Sequence, residues 1–336
     1  MLPEPSPIAE LDARGAALDP AWLAPTRPLV LRGLVAHWPL VREGRASAQA
    51  AIGYLRGFDA GKAVLAQVGP PDIQGRFGYN AALDGFNFRA ERVPLAVALA
   101  TLGKYLDDPQ PPAIYVGATT VNTWLPGLRE ANPLDFAPVE PLASIWIGNR
   151  TRISAHQDLP DNLACVVVGR RRFTVFPPDQ LANLYIGPLD FTPAGQPISL
   201  VDFAAPDLQR FPDFAKAMAH AQSATLEPGD ALLLPSLWWH HIEALEAFNV
   251  LVNYWWRQSP EWMDTPMNAL MAALLSVRDL PPAQRASWRT IFEHYVFNAS
   301  DETAAHIPAA ARHALAPMDE PGARALRARL LQRLNR

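Results

Sequence analysis

The chain has 336 residues, of which 49% are hydrophobic and 18% charged, with ten tryptophans and 34 prolines. That composition describes a packed globular protein with many strand ends and ordered loops, and it excludes extended disorder and a mostly helical first two thirds. A formal net charge of −4 with scattered arginines offers no basic footprint for nucleic acid, and a single cysteine, Cys165, excludes an internal disulfide and a cysteine-rich zinc module.

The N-terminus, Met-Leu-Pro-Glu-Pro-Ser-Pro, lacks the basic and then apolar pattern of a secretory signal. No apolar run approaches the roughly 18 residues of a membrane span. Together with the lone cysteine, these features lead us to expect a soluble, cytoplasmic protein.

In chain order, residues 1–24 are proline-rich with a short helical pattern, and Arg27 to Leu34 reads as a buried strand stopped at a glycine turn. His37, beside Trp38 in a turn, reads as structural. Residues 46–56 look helical and 60–68 extended. Short strands at 76–80 and 86–89 flank an Asp84-Gly85 hairpin signal. Leu95, Leu99 and Leu102 recur at helical spacing within 93–105, and 111–120 is a further strand.

Strand density then rises, with segments expected at 144–148, 154–158, 162–168 and 171–176. Gly169-Arg170 lies between two β-branched runs, the composition of a tight hairpin turn, so Arg171 should open the returning strand. Residues 182–214 form a long excursion outside the main sheet. One or two helical turns follow at 215–221, then strands at 224–227, 231–234 and 248–256, with Pro235 to Glu243 leading through His240 and His241.

After Ser259-Pro260 the pattern becomes helical. Helices are expected at 261–276, 282–298, 302–316 and 320–335, the last with Leu326, Leu330, Leu331 and Leu334 on one stripe. The expected organisation is one domain over 1–258, with its core from residue 110 onward, and a helical region over 259–336 that packs on it or forms a homodimer contact.

His156 and Asp158 are two residues apart on an extended segment, so an imidazole and a carboxylate project to one face. With one of His240 and His241 they make a two-histidine, one-carboxylate set. Such a set leaves adjacent metal positions open, as in non-heme Fe(II) oxygenases. Cys165, on an apolar strand, reads as a small core residue, and the Trp238-Trp239 and Trp255-Trp256 pairs as core or pocket wall.

Several motifs together resemble the JmjC-type, cupin-fold 2-oxoglutarate oxygenases, in particular the group similar to the asparaginyl hydroxylase that acts on hypoxia-inducible factor. They are His156-Gln157-Asp158, Asn162, Gly169 to Phe173 with Phe176-Pro177-Pro178, Glu227-Pro228-Gly229-Asp230, Pro235 with Trp238 to Glu243, and Asn253-Tyr254-Trp255. Pro28 to Leu34 resembles that group's lead-in strand, so the resemblance covers roughly residues 25–257.

The resemblance implies a mainly β fold with a double-stranded β-helix, or jelly-roll, core. It implies Fe(II) held by His156, Asp158 and His240, and 2-oxoglutarate as cosubstrate. His241 becomes a neighbour of the site. Tyr115, Asn162 and Asn253 become members of the cosubstrate pocket. Arg171 stands where these relatives usually have a lysine that binds the distal carboxylate of 2-oxoglutarate, and Ile153 stands where a close relative has a threonine.

Arginine holds a carboxylate through two parallel hydrogen bonds but is longer and planar. Either Arg171 takes over the lysine's task, or the distal carboxylate is held differently, or cosubstrate binding is weak. The implied activity is hydroxylation of a protein or peptide side chain, or of a small molecule. The rival readings are a cupin-fold metal enzyme that does not use 2-oxoglutarate and a non-catalytic metal-binding regulatory protein.

Overall fold

The computed structural model describes residues 2–335. Met1–Gln258 and Ser259–Arg336 form two compact units. The first opens with strands β1 (Ser6–Pro7), β2 (Ala9–Asp12) and β3 (Leu29–Arg32), helices α1 (Pro39–Ala46) and α2 (Ala48–Arg56), and strands β4 (Ala63–Gly69), β5 (Arg76–Phe77) and β6 (Arg89–Pro94). Helix α3 (Leu95–Lys104), strand β7 (Ala113–Thr120) and the single turns α4 (Val121–Trp124) and α5 (Leu128–Ala131) lead into the core.

The core strands are β8 (Leu142–Gly148), β9 (Arg152–His156), β10 (Asp161–Val168), β11 (Arg171–Phe176), β12 (Gln222–Leu226), β13 (Ala231–Leu234), β14 (Trp239–Ala244) and β15 (Asn249–Trp256). A short helix, α6 (Phe214–Ala219), lies in the long excursion between β11 and β12. They form two sheets. One runs β1-β12-β11-β14-β9-β5 and the other β2-β3-β13-β10-β15-β8-β7-β4-β6. The chain from β8 to β15 passes back and forth between the two, which is the double-stranded β-helix of a jelly roll.

Period-two alternation decides what faces what. Strand β10 is buried along its whole length, as expected for a strand covered on both faces. Its Leu163, Cys165 and Val167 join the core under α1–α3, whereas Ala164 and Val166 meet Phe173 and Val175 of β11 between the sheets. Cys165 is thus a core residue, and burial pushes its thiol pKa up. Strand β15 alternates likewise, with Val250, Val252 and Tyr254 facing the outer core and Leu251 the space between the sheets.

Three expectations are corrected. Gly169-Arg170 does not close a hairpin: both edges of β10 are already paired, with β13 and β15, so β11 must pair elsewhere and the turn carries the chain to the other sheet. The helical pattern in residues 1–24 is two short strands and a 3-10 turn, Pro20–Leu23. The helix expected at 302–316 is three 3-10 turns, Asp301–Ala304, Ala309–Ala311 and His313–Leu315, because Pro308 supplies no backbone N–H there.

In the second unit, α7 (Pro266–Ser276), α8 (Pro282–Phe292) and α9 (Glu320–Leu334) are regular helices, and α8 runs on into a π turn, Glu293–Phe297. Leu275, Val296, Phe297, Leu330, Leu331 and Leu334 are exposed. Among the described residues, no helix is long and apolar enough to cross a membrane.

The turn Glu227 to Asp230 locks the lead-in strand to the barrel. One Asp230 oxygen accepts the Gly33 amide at 2.8 Å, and the other accepts Arg32 Nη1 at 2.6 Å and the Glu227 amide at 3.0 Å. Gly229 has φ +107°, and a Cβ there would lie 2.9 Å from Ala36 Cα. Gly229→Ala is therefore expected to lower stability by about 1–3 kcal/mol. Gly53, inside α2 with open space at its Cβ position, is the contrast: Gly53→Ala should raise stability by roughly 0.5–1 kcal/mol. Urea unfolding of both variants checks the pair.

Candidate metal centre

His156 ends β9, and antiparallel pairing with β14 sets it directly across from His240. The register slips by one residue between His240 and Ile242, a bulge of the kind that re-aims side chains beside functional sites. Asp158 is not on the strand, as the two-residue spacing had suggested. It lies two residues past the end of β9, where its carbonyl accepts the Leu237 amide at 2.9 Å. The loop that leads to His240 is thereby tied to the backbone of the acidic residue.

Ligand atoms of His156, Asp158 and His240 all lie within 4.8 Å of one another. Asp158 Oδ2 is 3.7 Å from His240 Nε2, and the two imidazole centroids are 4.2 Å apart. Each imidazole turns Nδ1 to the carbonyl two residues earlier, His156 to Ser154 and His240 to Trp238, both at 3.0 Å. A carbonyl only accepts, so Nδ1 carries a proton, and in the neutral tautomer this leaves the Nε2 lone pair for a metal. Burial holds the His240 imidazole below its ordinary 6.5, at about 4, with His156 adding to the effect and Asp158 opposing it. Two imidazole Nε2 atoms and a carboxylate fit a divalent cation with positions left open.

His241 points the other way. It is buried, stacks on Phe203 at 4.2 Å, and neither ring nitrogen has a hydrogen-bond partner. Burial brings its pKa down to about 4 as well.

The three ligands stand at one side of a cavity of about 300 Å³ between the sheets. Tyr115, Asn162, Arg171 and Asn253, all anticipated from sequence, line it. Arg171 is 1% exposed, and its Nε and Nη2 have no partner. Burial pulls its pKa from 12.5 to about 10, so it stays charged at neutral pH. Tyr115 stacks on Trp146 at 5.7 Å, and burial pushes its phenol pKa up. Asn253 Nδ2 donates to Asn162 Oδ1 at 2.7 Å, which leaves Asn253 Oδ1 unpaired.

The sequence reading missed Trp146, Gln67, Phe77, Gln196 and Ile198, which also line the cavity. Trp146 was findable, because it alternates with Ile145 and Ile147, which join the outer core. Gln196 and Ile198 come from the excursion, where no periodic pattern exists to read. Of the tryptophan pairs, Trp255 lines the cavity with its Nε1 unpartnered, while Trp256 turns to the outer core and donates to the Leu23 carbonyl at 2.8 Å. Ile153 is a cavity wall.

The cavity therefore holds buried donors from Arg171, Trp146 and Trp255 without acceptors, and among the described residues Asp158 is the one carboxylate lining it. Unpaired buried donors are costly, roughly 1–3 kcal/mol each and more for a charged group, so the site suits an anionic, acceptor-rich ligand. 2-Oxoglutarate, a dianion, fits that requirement.

Residues 16–262 match the family model of the cupin-like domain. Similar proteins include the tRNA wybutosine-synthesizing protein 5 of Danio rerio, 38% identical over 31% of this chain and 29% of that protein. The human bifunctional peptidase and (3S)-lysyl hydroxylase JMJD7 is 26% identical over 70% of this chain and 78% of its own length. The lysine-specific demethylase 8 of Xenopus tropicalis is 25% identical over 70% of this chain and 49% of its own. The chain spans less than a third of the first of these relatives.

Burial of His240 and His241 has a consequence for the metal-free protein. Both take up protons near pH 4 in the fold but near 6.5 when unfolded. Between these values the unfolded chain binds more protons, so stability is full above 6.5 and declines as the pH falls toward 4. His241→Phe should remove part of that decline, as measured by urea unfolding at pH 7 and at pH 4.5.

Proposed function

The chain belongs to the cupin-like domain family, and from the metal centre inside its barrel we propose that it is an Fe(II)- and 2-oxoglutarate-dependent oxygenase. It hydroxylates a protein or peptide side chain, or a small molecule. The observation that carries this reading is the buried, unpaired Arg171 guanidinium in the same cavity as the His156, Asp158 and His240 ligand set. A metal enzyme whose cavity takes no anionic ligand has no use for that charge.

When bound, Fe(II) and 2-oxoglutarate supply the oxidising chemistry, in which O2 and the cosubstrate are consumed, succinate and CO2 are released, and a C–H bond of the substrate is hydroxylated. The chain's part is placement and exclusion. His156 and His240 offer fixed Nε2 lone pairs, held by the Ser154 and Trp238 carbonyls. Asp158 supplies the carboxylate that offsets part of the metal's charge. Arg171 takes the distal carboxylate of the cosubstrate in the fork geometry open to a guanidinium, and Tyr115 and Asn162 present polar groups to the same cavity. Phe77, Trp146 and Ile242 keep the walls apolar, which excludes water and strengthens each charge interaction within.

We also assign this protein to the cytoplasm, on its single buried cysteine, and propose that it acts as a homodimer joined through the C-terminal helices, whose Leu275, Phe297 and Leu334 are exposed. Neither nucleic acid nor membrane is among its partners in this reading.

His156→Ala and Asp158→Ala are each expected to abolish iron-dependent succinate formation, and undiminished turnover in both would end the proposal. 2-Oxoglutarate should raise the melting temperature of the Mn(II)-loaded protein. Arg171→Gln should weaken its binding about ten- to hundredfold, the value of a hydrogen bond to a charged group. A melting temperature indifferent to 2-oxoglutarate would favour a cupin enzyme that works without it. Light scattering at micromolar concentration should give twice the chain mass of 36.9 kDa, and a monomer would refute the homodimer.

A further inference from the structure

Beside the metal cavity lies a second one of about 290 Å³, lined by Arg76, Tyr79, Asn80, Leu83, Ile198 and Arg210 among others. Ile198 lines both cavities and forms their common wall. Strand alternation explains the split. Phe77 of β5 lines the metal cavity, and its neighbour Arg76 faces the second.

Among the described residues, two guanidinium groups line this second cavity and no carboxylate does. Arg76 spends one N–H on the Leu200 carbonyl, at 2.8 Å. The Arg210 guanidinium makes no hydrogen bond or ion pair to any described residue and rests 5.0 Å from the Phe211 ring centroid. The carboxylates nearby are engaged elsewhere. Asp202 accepts Arg152 Nη1 at 2.9 Å, Asp84 accepts Asn80 Nδ2 at 2.8 Å, and Asp207 accepts the Gln209 and Arg210 amides. Burial lowers the Arg76 pKa, and the Arg152 and Arg210 charges lower it further against the opposing pull of Asp202.

The other polar side chains there are already satisfied. Tyr79 donates to the Phe191 carbonyl, and Ser199 donates to the Leu184 carbonyl at 2.6 Å. What remains open is a pair of cations with unused N–H donors around a space of ligand size.

We propose that this cavity is an anion-binding subsite that takes a carboxylate or phosphate group through Arg76 and Arg210. Two guanidinium forks suit a planar carboxylate or a tetrahedral phosphate equally, because both present oxygens at the spacing of paired N–H donors. The subsite is separate from Arg171 and does not depend on whether the neighbouring cavity uses 2-oxoglutarate. Its shared Ile198 wall sets the bound anion directly beside the metal cavity.

Calorimetric titration of the metal-free full chain with inorganic phosphate, and separately with acetate, tests the assignment. At least one anion should bind, and the preferred one identifies the ligand class. Arg210→Gln, at an exposed side chain with no hydrogen bond or ion pair to lose, should weaken that binding about tenfold. Arg171→Gln should leave it unchanged. Absence of heat with both anions, unchanged affinity in Arg210→Gln, or loss in Arg171→Gln alone would each overturn the subsite. Because the titration uses no metal and no cosubstrate, failure of the oxygenase reading would leave this result unaffected.

Discussion

Strand β14 pairs antiparallel with β9, and that pairing puts His240 opposite His156. The site depends on this one contact. It joins two segments that are distant in sequence, and it works because both strands are interior members of the six-stranded sheet and cannot shift without losing a neighbour. The bulge beside His240 adds a local rotation, so that His240 faces the cavity while His241 faces Phe203 on the other side. Backbone carbonyls then hold both rings, and the proton on Nδ1 leaves Nε2 available.

A second constraint is electrostatic. A jelly roll built from apolar alternation ordinarily fills the space between its sheets with apolar side chains, as Val166, Phe173 and Val175 do here. Two positions before Phe173, on the same face of β11, stands Arg171, fully buried and without a counter-charge. Charge in such surroundings is stabilised only by a partner, and a low dielectric makes a correctly placed anion bind strongly. Arg76, half-buried, likewise has no ion pair among the described residues, unlike the surface arginine Arg172 with Glu243.

Much of the core was legible because its signals are local. Strand β11 runs from Arg171 to Phe176 as the β-branched and aromatic run indicated, and β13 spans Ala231–Leu234. Asn162, Arg171 and Asn253 reach one cavity because each sits on the inward parity of its strand. The fate of Gly169-Arg170 was not legible. A glycine turn between two buried runs has the same composition whether it closes a hairpin or carries the chain to a second sheet, and only the occupied edges of β10 decide. The 302–316 segment failed for a local reason, the missing N–H of Pro308.

Residue types and spacings thus determined by themselves that two histidines and a carboxylate were available as ligands, that a cation, Arg171, opens a strand close after them, and that the surrounding strands alternate. Those are properties of short stretches, where side-chain direction follows from backbone period. Tertiary structure alone decided which histidine of the adjacent pair faces Asp158, that Asp158 lies just beyond its strand, and that Trp146, Trp255 and Ile198 line the cavity. It also set Arg76 and Arg210 on one space. Each of these depends on which strands become neighbours, and that is settled by competition for sheet edges and buried surface over the whole chain.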